Sequence, residues 1–212
     1  MPKITDERKE ARRQQILAAA VRCFSRDGFH ATTTADIVRE AGVSQGALYL
    51  YFATKDDIVV ALADDRHQGE TFLTALAQSE PDPVRGLFML VELYGPSLGD
   101  AKRADERRVG IQGWAEALRS PAIHDSVVEG VAAVRKAIMG LVQRGQLAGD
   151  VRDDLDPEAV ARTLIAIYQG LVLQAAWGEA PSKAEHGFLM REIITNTLLT
   201  PQGRAAASAC AD

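Results

Sequence analysis

The chain has 212 residues, a net charge of −5, 47% hydrophobic residues and 25% charged ones. That length suits one large domain, or a small one with a medium one, and supplies enough apolar side chains for a true core. No apolar run approaches the ~18 residues of a membrane span and no signal peptide precedes the first predicted helix, so the reading is cytoplasmic with no membrane partner.

The charge is unevenly spread. Residues 1–55 hold nine Lys and Arg against six Asp and Glu, a net +3, and residues 56–212 are net −8. A basic end on an acidic chain suits a local nucleic-acid contact, while the acidic remainder limits nonspecific adhesion.

The residues up to about Glu7 read as a mobile arm. Lys3, Arg8, Lys9, Arg12 and Arg13 cluster there, either to reach a minor groove or a phosphate, or as a plain solvated face. A helix over about 8–26 buries Ile16, Leu17, Ala20, Val21 and Phe24 at helical spacing. Asp27–Gly28 stops it and Phe29 packs underneath. Cys23 lies inside that helix and Cys210 in the tail, which argues against a disulfide framework. Cys23 is then a small buried hydrophobe or, alternatively, a redox sensor.

The next stretch organises the chain. Thr33 followed three residues later by Asp36 predicts a capping box and a helix over 34–41, with Ile37, Val38 and Ala41 on its apolar face. Gly42 ends that helix, Val43 fills the turn and Ser44 caps a second helix over 45–51. Leu48 and Phe52 point back into a small core. Gln45, Gly46, Ala47, Tyr49 and Tyr51 are left facing out. Two short helices joined by a glycine-containing turn are a helix-turn-helix, whose second helix enters a major groove.

Thr33, Thr34 and Ser44 can each satisfy a backbone donor and reach a phosphate oxygen. Gln45 is the best base reader, since its amide pairs with adenine N6 and N7. Gly46 and Ala47 keep the groove side smooth, and Ala47 can touch a thymine methyl.

The string AGVSQGALYLYFATKDDI, with Thr33 and Asp36–Ile37 ahead of it, resembles the DNA-binding domain of TetR-family transcriptional repressors. The close match covers roughly residues 10–65. The departure is Val38, where the family usually has alanine, which implies a slightly different helix contact. The resemblance implies that Tyr49 and Lys55 contact the DNA backbone. For Tyr49 and Tyr51 the residues themselves leave open a core aromatic with its hydroxyl in water.

A helix from Thr54 to about Gln78 follows, capped by Thr54 with Asp57, and is the only connector to the rest. Asp82–Pro83 opens a helix over 83–98 that Gly95–Pro96 kinks or ends. Further helices are predicted over 105–118, 121–147, 157–178 and 183–199. Pro201 ends the last one, and the small polar tail over 201–212 reads as disordered. The fold class is all-α with about nine helices: a helix-turn-helix domain over 1–55, then a larger helical domain over 56–200 for ligand binding and dimerisation.

The helices over 157–178 and 183–199 are apolar on more than one stripe, and Gly170 sits in mid-helix, where it costs about 1 kcal/mol relative to alanine. Either an intrachain core or a C2 four-helix bundle uses such a pattern. The resemblance implies the bundle, a homodimer with Leu164, Gly170, Leu171, Phe188 and Ile193 in the seam.

Polar and aromatic residues within apolar helices suggest a small-molecule pocket. Phe88, Tyr94, Trp114 and Tyr168 are its candidate wall residues, and His124 and Gln169 its candidate polar contacts, each with a plain core or surface role as the alternative. By resemblance, the fourth to eighth helices enclose an inducer. Lys and Arg are scarce in these segments, which favours an apolar or amphipathic molecule.

The four histidines are widely spread and there is no HExxH, GxSxG, P-loop or GxGxxG. Catalysis, a metal and a cofactor are therefore not expected. The expected function is a DNA-binding regulator, a repressor released from a pseudo-palindromic operator by a small, largely apolar effector. The alternative is a regulator of the same fold that needs no ligand and acts through protein contacts.

Overall fold

The computed structural model describes residues 6–180 and 182–209. Its helices are α1 (Asp6–Asp27), α2 (Thr34–Ala41), α3 (Gln45–Tyr49), α4 (Lys55–Gln78), α5 (Pro83–Gly99), α6 (Ala104–Glu116), α7 (Pro121–Ala148), α8 (Pro157–Ala176), α9 (Lys183–Ile193) and α10 (Pro201–Ala209). A 3₁₀ turn over Ala101–Arg103 leads into α6, and a π-helical turn over Ile194–Leu198 follows α9. Extended pairing among the described residues is limited to one antiparallel bridge, Val151 with Leu199. The fold is all-α.

Two compact units divide the chain. The first comprises Met1–His67 and Ala104–Val128, the second Gln68–Arg103 and Glu129–Asp212. The division expected at residue 55 therefore falls inside the first unit. The reason is a shared core: Ile16, Phe24, Ile37, Leu48 and Phe52 are buried in one cluster with Ile58, Ala117 and Ile123. Three short helices alone bury little apolar area, and the first turns of α4, α6 and the start of α7 complete the cluster. Cys23 is fully buried in it, and burial pushes its thiol pKa up. An inert buried hydrophobe, not a redox sensor, is what that environment makes.

The second unit has its own core, from Val84, Leu87 and Leu90 of α5 to Leu141, Val142, Val160, Ala161, Ile194 and Leu199. Helix α5 runs through Gly95–Pro96 to Gly99, close to the expected 83–98. Two expectations fail in this unit. Residues 201–209 are helical, not disordered. Pro201 starts that helix, because a proline at the first helical position loses no bond that a helix needs. The Thr200 hydroxyl accepts from Gly203 N–H at 3.1 Å and donates to the Gly149 carbonyl at 2.8 Å, which seats α10 on the turn after α7. A Cβ on Gly203 would lie 2.2 Å from the Asp150 carbonyl oxygen, so the close approach requires glycine. Finally, α8 is long and apolar enough to cross a membrane by length and hydropathy alone, with a mean hydropathy of 1.3. Only 22% of that window is buried.

Candidate nucleic-acid interface

The helix-turn-helix is assembled by local bonds. Thr33 has extended backbone, and its side chain accepts from Asp36 N–H at 3.2 Å while Asp36 accepts from Thr33 N–H at 3.0 Å. Gly42 takes φ +64°, the left-handed conformation that closes α2. The Ser44 hydroxyl accepts from Ala47 N–H at 3.1 Å and starts α3. Leu48 and Phe52 are buried, and Val43 packs on the same core. The face left outward by α3 carries no charge: Gln45, Gly46 and Tyr49 are exposed and Ala47 half-buried.

The capping hydroxyls differ in what they have left to offer DNA. Ser44 keeps its own proton, so it can donate to a phosphate oxygen. The Thr33 hydroxyl also donates to Asp36 Oδ2 at 2.6 Å, which leaves no proton for a phosphate. That carboxylate is held below the ordinary aspartate pKa, first by the Thr33 hydroxyl, then by the Thr33 backbone N–H and by Arg39. Thr33 therefore serves as the cap of α2.

Thr34, Gln45 and Tyr49 come together across α2 and α3. Gln45 Nε2 donates to Thr34 Oγ1 at 3.4 Å. The neighbouring side chains of Thr34 first and Gln45 second hold the Tyr49 pKa below the ordinary phenol value. Tyr49 is 51% exposed. Tyr51 differs: it is half-buried and packs on the core, 6.5 Å from Phe52 between ring centroids.

Lys55, expected on the DNA backbone, is engaged within its own unit. Its ammonium donates to the carbonyls of Phe29 at 2.6 Å, Thr32 at 2.9 Å and His30 at 3.5 Å, and it stands 4.4 Å over the Phe29 ring. An ammonium has three protons, and three carbonyls take them. Lys55 ties the first turn of α4 to the turn between α1 and α2.

The same turn is held from α6. Gln112 donates to the Phe24 carbonyl and accepts from Phe29 N–H, both at 3.0 Å. Glu116 Oε1 lies 2.9 Å from His30 Nε2. Gln112 and Glu116 also line a shallow surface recess with Phe24, Phe29, Val59, Val109 and Gly113. A one-sided polar pattern on α6 was the only signal available. Basic residues of the unit are similarly engaged: Arg13 with Asp65 at 2.9 Å, Arg22 with Glu40 at 2.6 Å, Arg26 with Asp27 at 2.8 Å. The local excess of positive charge is thus largely paired.

The candidate pocket residues are split between the units. Trp114 belongs to the first, 5.6 Å beneath the Arg66 guanidinium, and His124 is an exposed residue of the first, 3.1 Å from Asp125. Phe88, Tyr94, Tyr168 and Gln169 belong to the second. Tyr94 and Tyr168 form an edge-to-face pair at 5.3 Å, and Phe88 lies 4.9 Å from the Arg191 guanidinium, which also pairs with Glu92. Among the candidate seam residues, Leu164 packs into the core of its own unit, whereas Phe188 is 67% exposed. Gly170, Leu171 and Ile193 are half-buried. A Cβ on Gly170 would meet nothing within 4 Å, so no close approach within the chain accounts for that glycine.

A glycine-closed turn between two short helices, with an uncharged polar face on the second, defines a helix-turn-helix DNA-binding protein. Residues 16–62 match the model of bacterial regulatory proteins of the tetR family, and residues 83–199 match the C-terminal model of BetI-type transcriptional repressors. The chain belongs to the TetR family. It is 31% identical over 180 residues to the transcriptional regulator TtgR of Pseudomonas putida, covering 81% of this chain and 83% of that one. It is 24% identical over 178 residues to the transcriptional repressor AcnR of Corynebacterium diphtheriae, covering 84% and 88%. A Saccharomonospora viridis protein solved in complex with choline superposes with a TM-score of 0.72 at 28% identity, over 90% of this chain and 99% of that one. The protein is a DNA-binding transcriptional regulator and not an enzyme.

Proposed function

We propose that the protein is a dimeric repressor, acting in the cytoplasm, that leaves a pseudo-palindromic operator when a small, largely apolar molecule binds its second unit. The observation that carries the DNA half is the outward set Ser44, Gln45, Gly46, Ala47 and Tyr49, with Thr34 beside it. Gln45 reads a base edge, Ser44 and Tyr49 donate to phosphates, and Ala47 meets a thymine methyl.

An unpartnered apolar face supports the dimer. Trp177 at the end of α8 is 68% exposed, and Phe188 and Leu189 on α9 are 67% and 57% exposed. The outward side of α8 otherwise carries Thr163, Ala166, Gly170 and Gln174, small or polar groups that let a second copy approach. A two-fold bundle of α8 and α9 would cover this face. It would place two copies of α3 about one helical turn of DNA apart, 34–36 Å or a multiple. Covering by a second copy also accounts for the hydropathy of α8 without a membrane.

The aromatic set Phe88, Tyr94 and Tyr168, with Gln169, is the proposed effector wall. The choline-bound relative supports a small organic molecule. Release requires a route to the reading head, and the turn between α1 and α2 supplies one. Lys55 of α4 and Gln112 of α6 both grip it, so a shift in either helix moves the support of α2. The effector acts only as far as it prefers the released state, typically by 1–3 kcal/mol. The test is titration of the operator complex with small molecules. Release by a ligand, with Tyr168→Phe shifting the midpoint, is expected. A releasing ligand indifferent to both Tyr168→Phe and Tyr94→Phe would place the pocket elsewhere.

A further inference from the structure

The chain passes from one unit to the other three times: along α4 after His67, before α6 at Ala104, and along α7 after Val128. Close to each of these exits, a side chain of the first unit is hydrogen-bonded to another helix of that unit. On α4, Asp65 accepts from both terminal nitrogens of Arg13 on α1, at 2.9 and 3.2 Å, and from the Gln14 amide at 3.0 Å. On α6, Asp105 accepts from the Ser25 hydroxyl of α1 at 2.6 Å. On α7, the Ser126 hydroxyl donates to Asp64 of α4 at 2.6 Å.

Residues that follow one another in a helix point about 100° apart. Asp64, Asp65 and Arg66 therefore address three different helices, α7, α1 and α6. The Arg66 guanidinium lies 5.6 Å from the centre of the Trp114 ring, and α6 makes room for it: a Cβ on Gly110 would stand 2.3 Å from Arg66 Nη1. Fully exposed ion pairs hold little. Here Ser126 is buried, and the Arg13 and Asp65 side chains keep only 26% and 28% of their exposure. The Arg13–Asp65 pair is bidentate and the Ser126–Asp64 bond is short and charge-assisted, so each sets direction as well as distance. None of these residues belongs to the outward set of α3.

We infer that Asp64, Asp65, Arg66, Asp105 and Ser126 are positioning residues that join the three exits of the first unit into one body, and that operators are thereby selected by the spacing of their half-sites as well as by their bases. The inference rests on the reading of the protein as a dimer. In a dimer, each reading helix is held to its partner copy only through chain that leaves the first unit at these exits. One added base pair moves the second half-site by about 3.4 Å and turns it by about 35° about the DNA axis. A reading unit on loose joints follows that turn by swinging, at little cost. A unit whose exits are tied to one another swings only by parting charge-assisted bonds, so the wrong spacing is penalised.

The experiment starts from the half-site that the full-length wild type selects from a random library. Inverted repeats of it, at every spacing across one helical turn, are then offered to the wild type and to the double variant Asp65→Ala/Ser126→Ala. The wild type is expected to prefer one spacing roughly tenfold over spacings one base pair longer or shorter. The double variant should keep the half-site sequence while that ratio falls below about threefold. An Arg13 released from Asp65 to a phosphate raises affinity at every spacing alike, so the ratio is a readout that a simple gain or loss of affinity does not move. Asp65→Glu, which keeps the carboxylate, should retain the wild-type preference. Should the double variant lose helix content, Asp65→Asn and Ser126→Ala singly are expected to lower the ratio in the same direction. A ratio unchanged in the double and single variants overturns the inference and leaves the dimer standing, and a wild type indifferent to spacing overturns it as well. A half-site sequence that changes in the variants would make these residues part of the shaping of the reading face and also overturn it. A single unrepeated site bound by one chain would remove the dimer and the inference with it.

Discussion

On the reading unit, polar side chains are tied to one another and to backbone: Thr33 to Asp36, Gln45 to Thr34, Lys55 to three carbonyls, Gln112 to two backbone groups. On the second unit, Trp177, Phe188 and Leu189 stand more than half exposed. The first surface offers polar groups to a polar partner on a frame held by these bonds. The second carries exposed large apolar groups, the kind of surface from which the proposed dimer is argued. The difference teaches where each partner class is encoded: DNA recognition in hydrogen-bond geometry, the proposed self-association in surface left unburied.

The largest expected effect comes from breaking the exposed apolar face. Trp177→Glu puts a charge into the proposed seam and touches no core, so helix content should hold while sedimentation shifts from dimer to monomer. Loss of a central tryptophan costs an interface about 2–4 kcal/mol, and operator affinity should fall with it. A variant that stays dimeric would place the interface elsewhere.

Next comes Lys55→Met, which keeps the stem and removes the ammonium from its three carbonyls. Hydrogen bonds to a charged group contribute about 1.5–3 kcal/mol each, so the first unit should lose stability of that order in denaturant melts. The salt dependence of DNA binding separates the two readings of this residue. A phosphate contact would lower the slope of log affinity against log salt by about 1. An internal tie leaves the slope unchanged, which is the expected result.

These two residues also show what the sequence carried and what it did not. The helix-turn-helix was legible because its signals are local: a threonine three before an aspartate, a glycine at a helix end, a serine before a short helix. Lys55 reads identically in sequence whether its ammonium faces phosphate or the carbonyls of Phe29 and Thr32, because those partners lie 23 to 26 residues away. Gln112 was invisible for the same reason, its partners being over 80 residues off. Pro201 was read as a stop when it is a start, because the hydroxyl of Thr200 and the close approach of Gly203 to Asp150 exist only in three dimensions. Residue type alone does not place a pocket, and two of the six candidates, Trp114 and His124, lie in the first unit.

The smallest effect concerns pH. Asp36 is held below the ordinary aspartate range by the Thr33 hydroxyl. A carboxylate with a depressed folded-state pKa stabilises above its unfolded value, near 3.8, and the contribution is lost as pH falls through the folded value. Stability of the first unit should therefore decline below about pH 4, and Asp36→Asn should flatten part of that decline. An NMR titration of Asp36 giving a pKa at or above the ordinary value would show that the box does not hold its charge.

The central claim is that two copies of this chain present two reading helices to one DNA face. Selection of bound DNA by the full-length protein, with the stoichiometry of the selected complex measured by sedimentation, tests it most directly. The account predicts an inverted repeat with half-sites about 34–36 Å apart, or a multiple, and two chains per duplex. A single unrepeated site bound by one chain would contradict it.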